Sequence, residues 1–172
     1  MQLQRLKKHR TMLFIDDKSK DAANWLRIGK STVYDLVLNA QTEENNFIED
    51  EMPSTDITNY KPEISQELQC NKGDPAFDYI YGMFYNLPTG EDVKIPALFV
   101  FDGNEGTEDA PEFKAWNTIS TITLDHFDSV AEKIYFKLNI NSIERGTVKV
   151  TAGNPVYTKA VTKNVVTDGV GI

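Results

Sequence analysis

Between residues 60 and 70 the side chains change character at every step. Tyr60, Pro62, Ile64, Gln66, Leu68 and Cys70 fall on one side, and Lys61, Glu63, Ser65, Glu67 and Gln69 on the other. Successive side chains of a β-strand point to opposite faces, so this pattern demands a sheet with one face in a core and one in water. Gln66 is the one polar residue on the apolar side, and Pro62 restricts that end to an edge or a bulge. Residues 130–140 repeat the pattern, with Ile134, Phe136, Leu138 and Ile140 against Lys133, Tyr135, Lys137 and Asn139. Residues 31–38 also alternate, and shorter strand candidates lie at 12–15, 25–28, 93–101, 114–124, 147–150 and 156–159.

One segment breaks the rule. Asp74 suits an N-cap and Pro75 the first helical position, where a missing N–H costs nothing. Phe77, Ile80, Tyr81 and Phe84 then recur at helical spacing until Pro88 and Gly90 stop the run. The spacing predicts a helix at about 74–87 whose aromatic stripe lies on a sheet. The outline is mainly β, an antiparallel sandwich or barrel with one amphipathic helix, expected as a single domain over 1–172. Residues 41–59 read as a long loop beyond the core, and 1–11 and 160–172 as terminal arms.

Composition narrows the function. The chain has 172 residues, long enough for a core without staples, and its lone cysteine excludes an internal disulfide framework. No apolar run approaches the ~20 residues of a membrane helix, and the stretch after the basic leader is too short for a signal peptide. The expectation is a soluble, reduced protein made in the cytoplasm. A net charge of −8 argues against gripping nucleic acid, which needs clustered Lys and Arg. The charge is unevenly spread. Arg5, Lys7, Lys8 and Arg10 stand without acids, while Glu43, Glu44, Glu49, Asp50, Glu51 and Asp56 stand without bases.

Catalytic motifs are scarce. His9 and His126 are the two histidines, with no zinc-binding spacing, and no nucleophile elbow, Walker loop or dinucleotide fingerprint occurs. Cys70 reads as a small buried hydrophobe rather than half of a Cys–His dyad. The acidic loops at 16–21 and 102–109 offer oxygens, but lysines interrupt the former and the latter lacks the order of a calcium-binding EF-hand. No catalytic, cofactor or metal residue is nominated, and the chain is read as a non-enzyme.

Several strings carry a resemblance. Leu6-Lys-Lys-His-Arg10 leads into Leu13-Phe-Ile15 and then Trp25-Leu-Arg-Ile-Gly-Lys-Ser-Thr32. Ile48-Glu-Asp-Glu51 precedes Tyr60-Lys-Pro62 and Gln66-Glu67, and Lys72-Gly-Asp-Pro-Ala-Phe-Asp-Tyr79 runs on to Phe84-Tyr-Asn-Leu-Pro-Thr-Gly90. In this order, over about residues 1–150, the chain resembles the major tail tube proteins of long-tailed bacteriophages.

That resemblance implies a fold similar to the inner tube of type VI secretion, and hexameric rings stacked into a hollow tail. It implies partners in further copies, tail terminator and tail tip proteins, and a tape measure protein inside the tube. DNA would pass through the bore without specific binding, and the protein would reside in the virion tail after assembly in the host cytoplasm. The family's long loop, which contacts the adjacent ring, corresponds to residues 41–59. Two expectations follow for the sites. Lys61, Glu63, Ser65, Glu67 and Gln69 face the bore. The leader residues Arg5, Lys7, Lys8 and Arg10 of one subunit meet the segment holding Glu43, Glu44, Phe47, Glu49, Asp50 and Glu51 of a neighbour. The competing reading is a monomeric β-sandwich module for carbohydrate binding or adhesion, with Trp and Tyr exposed as a platform; a small β-rich hydrolase is a third.

Overall fold

Strands form where apolar and alternating runs can bury a face. They are Met12–Asp16 (β1), Trp25–Arg27 (β2), Asp35–Val37 (β3), Ala40–Asn45 (β4), Ser54–Tyr60 (β5), Glu63–Gln69 (β6), Lys94–Asn104 (β7), Phe113–Asp128 (β8), Lys133–Thr151 (β9) and Asn154–Lys159 (β10). The helix Pro75–Asn86 (α1) lies between β6 and β7. This computed structural model describes residues 5–49, 51–104, 106–107 and 109–161. Among the described residues no helix is long and apolar enough to cross a membrane.

The main sheet is antiparallel throughout, in the order β2-β1-β7-β8-β9-β6-β3. Along one edge β9 pairs first with β6, as far as Asn139, and then from Gly146 with β10. The sheet rolls up because the segment following β2 joins both margins. Ile28 N–H donates to Leu13 O on β1 at 2.8 Å, and four residues on, Thr32 N–H donates to Glu67 O on β6 at 3.2 Å. Of the expected strand at 31–38, only β3 and an isolated bridge from Ser31 to Leu68 form.

The interior of the roll holds Ile64, Leu68, Ile95, Phe99, Ile134, Phe136 and Leu138, and α1 closes it with Phe77 and Ile80. Burying such side chains contributes about 1.5–3 kcal/mol each, which makes this cluster the main source of stability. A second cluster, with Met12, Phe14, Leu98, Val100, Phe113 and Val148, lies on the other face of β1, β7 and β8. β1 is therefore buried on both faces and reads as a continuous apolar run rather than an alternating one.

Helix α1 starts and stops as its sequence dictates. Asp74 Oδ1 accepts from Ala76 N–H at 3.3 Å, Pro75 takes the first position, and Leu87 in the left-handed region returns its N–H to Met83 O at 2.9 Å. The buried stripe runs through Ala76, Phe77, Ile80 and Met83, so Tyr81 moves to the margin and is 43% exposed.

Residues 41–59, expected as a loop, are mostly paired. β4 and β5 form a two-stranded hairpin outside the main sheet, with a bulge at Gln41/Thr42. None of its side chains is buried, so no alternation was there to be read. Of the expected N-terminal arm, Lys8–Arg10 form a 3-10 turn; residues 1–4 lie outside the described residues. Of the C-terminal arm, 162–172 lie outside them too.

Antiparallel pairing sorts the connections onto two rims. The leader, the hairpin and the β7–β8 connection leave from one rim. The β1–β2 connection, α1 and the β8–β9 turn occupy the opposite rim. The basic and acidic blocks therefore share a rim.

Candidate functional site

The polar side of β6 faces away from the core and continues across β9 and β8. Glu63, Ser65, Glu67 and Gln69 stand in register with Asn139, Lys137, Tyr135 and Lys133. Thr121, Thr123 and His126 of β8 stand opposite Asn139, Lys137 and Tyr135 on the far side of β9. Lys61, expected on this face, precedes β6. Its N–H is held by Leu38 O and Asn39 O where the hairpin joins the sheet, because Pro62 interrupts the ladder.

Side chains on this face are linked along diagonals. Lys133 Nζ donates to Glu67 Oε2 at 2.9 Å, and Lys137 Nζ to Glu63 Oε1 at 3.1 Å. On the other side Asn139 Nδ2 donates to Thr123 Oγ1 at 3.1 Å, and Asn141 Nδ2 to Thr121 Oγ1 at 2.8 Å. Each link joins a residue to the diagonal rather than the direct partner, as the twist of neighbouring strands brings them together.

Two bulges widen the polar surface. Between Ile119 and Ser120 the partner strand gains Asn141, and between Leu124 and His126 β8 gains Asp125. An extra residue on one strand turns two consecutive side chains to the same face. His126 thereby stacks on Tyr135 with ring centroids 4.1 Å apart and hydrogen-bonds Asp125 at 2.9 Å.

The electrostatics of the face are nearly balanced. Glu67 is met by Lys133 and Glu63 by Lys137, while Asp125 contacts the His126 ring. The Lys133 hydrogen bond, aided by Thr32, holds the Glu67 carboxyl below the usual carboxylate range, and the same bond holds the Lys133 ammonium above its ordinary value. The acidic excess of the chain lies elsewhere, on the hairpin and on the connections between strands. The partners from β8 and β9 could not be placed on this face from sequence. Their alternation was visible, but which strand stood beside β6 was not.

At the other candidate site Arg10 lies 4.0 Å from Asp102, and Lys7 N–H donates to Asp102 Oδ2. Arg27 Nη2 donates to His9 O at 3.3 Å, tying the leader to β2. Arg5, Lys7 and Lys8 remain exposed. Glu43 and Glu44 lie on β4, while Phe47, Glu49 and Glu51 are exposed between the two hairpin strands; Asp50 lies outside the described residues. Phe47 and Ile48 project there at 59% and 109% exposure.

The remaining candidates are absorbed by the fold. Trp25 and Trp116 are half-buried against the two core clusters, and Trp116 meets Phe101 edge-on at 5.0 Å. Burial pushes the Cys70 thiol up, and the Glu132 charge adds to it. Asp16 and Asp17 accept from the Lys18, Ser19 and Asn24 amides of their own turn. Among the described residues no group of three His, Cys, Asp or Glu side chains is placed to hold a metal.

No family model and no curated protein matches the chain. Among solved structures it is similar to a chain of one described as "Cryo-EM structure of the anti-feeding prophage (AFP) baseplate, 6-fold symmetrised". The two are 9% identical at a TM-score of 0.50, over 84% of this chain and 97% of that one. At this identity the likeness is one of fold alone.

Proposed function

We propose that this chain is a structural subunit of a phage-like tail or injection assembly, and within it a protomer of the tube wall. Copies join side by side into rings that stack, with the β6-β9-β8 face toward the bore. The observation that carries this reading is that face. Three adjacent strands present a continuous half-exposed polar surface whose lysines are already engaged by Glu63 and Glu67. Phosphate polymers are retained by free clustered cations, so a surface of paired charges and amide groups lets DNA slide rather than hold it. The likeness to a chain from a six-fold assembly supports the same reading. The residues facing the bore are then Glu63, Ser65, Glu67 and Gln69 with Lys133, Tyr135, Lys137 and Asn139.

The role is structural, without catalysis or cofactor. Its partners are further copies and, in a tail, terminator, tip and tape measure proteins. The carbohydrate-platform alternative gains no support from the tryptophans, since both pack on the cores.

Negative-stain microscopy of the purified protein tests the assembly: rings or tubes are expected, and uniform small particles overturn it. A Ser65→Cys variant in a Cys70→Ser background, labelled with a heavy-atom maleimide, tests the lining. Density is expected inside the bore; density on the outer wall overturns the assignment.

A further inference from the structure

The hairpin is a large surface without a partner among the described residues of its own chain. Residues 40–60 include six acids and no base. Among the described residues none of its carboxylates pairs with a cation; Asp56 is held only by the Asn45 amide at 2.9 Å. About twenty residues is the size of one side of a standard protein interface. The leader, on the same rim, has the opposite charge, and the ammonium groups of Lys7 and Lys8 have no acidic partner among the described residues.

Next to the leader lies a groove of ≈ 410 Å³. Lys8, His9 and Arg27 edge it, and Met12, Leu13 and Ile28 form apolar parts of its wall. Its chemistry matches an apolar residue flanked by carboxylates. The hairpin tip offers Phe47 and Ile48 beside Glu49 and Glu51.

We infer that the hairpin of one copy lies across the leader groove of a second copy standing beside it in the same orientation. The inference rests on the tube reading and departs from the resemblance in one respect: it places the hairpin on the lateral neighbour rather than on the adjacent ring. Shared orientation follows from the shared rim. End-to-end stacking would instead press the hairpin against the opposite rim, whose connections carry seven acids, among them Asp78, Asp92 and Glu132, against Lys18, Lys20 and Lys72. Like charge disfavours that arrangement, whereas the leader attracts. Such a contact is heterologous, so repeating it closes a ring or continues a chain.

The test is a charge swap in the full-length protein, read by sedimentation velocity at low and high salt. Lys7→Glu with Lys8→Glu, or Glu43→Lys with Glu44→Lys, should each weaken self-association about tenfold at low salt, with less loss at high salt. An equimolar mixture of the two variants should restore it, because each supplies the charge the other lacks. If both variants assemble like the parent, or the mixture stays as weak as either alone, the inference falls and the tube reading stands. If salt-sensitive, swap-rescued association is seen without rings or tubes, the contact stands and the tube reading falls. A parent protein that stays monomeric at every salt concentration overturns both.

Discussion

Lys133 and Glu67 are joined by a 2.9 Å bond although they are not opposite each other: Glu67 stands beside Tyr135, and Lys133 beside Gln69. The pair spans the diagonal that strand twist shortens. Lys137 reaches Glu63 on the same diagonal, which gives the face a regular slant of paired charges.

The shifted protonation of this pair predicts a pH signature. Glu67 is held below its ordinary range, so its contribution is present above that range and is lost as pH falls through the lowered value. Lys133 is held above its ordinary value, so its contribution is present below that value and is lost as pH rises through the raised one. Glu67→Gln should lower the melting temperature slightly across the neutral range. The difference from the parent should vanish toward strong acid and toward strong base. Thermal unfolding at a series of pH values checks this; a difference that persists into strong acid would exclude the pair as its cause.

At Gly146 β10 leaves no room on β9 for a side chain. A Cβ there would sit 2.3 Å from the Thr158 carbonyl and 2.6 Å from the Tyr157 ring. Backbone cannot yield as a side-chain tip can, so Gly146→Ala should cost about 1–3 kcal/mol, as overpacking does, and loosen β10. Burial, with Glu144 nearby, pushes the Tyr157 hydroxyl up to about 12. In the variant it should titrate nearer the ordinary tyrosine value, and exchange of the 154–159 amides should speed up. Unchanged exchange with an unshifted tyrosine would mean β10 tolerates the methyl group.

Which parts of this fold the sequence discloses depends on burial. Glu63–Gln69 alternates because one face is wet and the other dry, and α1 is legible because Asp74, Pro75 and its apolar stripe agree. The hairpin has no dry face, so β4 and β5 leave no period to find. β9 reads as two pieces because Glu144, Arg145 and Gly146 interrupt its apolar side at the point where β6 has ended and β10 begins. The candidate site is half legible for the same reason. Its β6 residues come from a local pattern, whereas Lys133, Lys137 and His126 join them only through register and a bulge.

Asp74 holds the helix with one oxygen and strands the other. Oδ1 caps Ala76, while Oδ2 is buried without a hydrogen-bond partner. Asp74→Ala should therefore cost about 1 kcal/mol, the usual loss of a cap. Asp74→Ser keeps a capping oxygen and removes the stranded one, so it should be closer to the parent than alanine is. Denaturant unfolding of the three proteins orders them; serine no better than alanine would show that the second oxygen is satisfied in solution.

Removing the hairpin separates folding from assembly. β4 and β5 bury no side chain and pair only with each other, so neither core cluster depends on them. Replacing residues 42–58 by an Asn-Gly turn leaves Gln41 and Asn59 as the pair flanking a two-residue hairpin loop, a favoured geometry. The shortened protein should melt within a few degrees of the parent, because surface changes away from buried features shift stability by about 0.5 kcal/mol or less. Its self-association should nonetheless collapse, since six of the chain's acids and the apolar tip leave together. Melting by circular dichroism and sedimentation of the same sample measure both. A shortened chain that melts normally and still assembles would place the subunit contacts on the sheet margins alone.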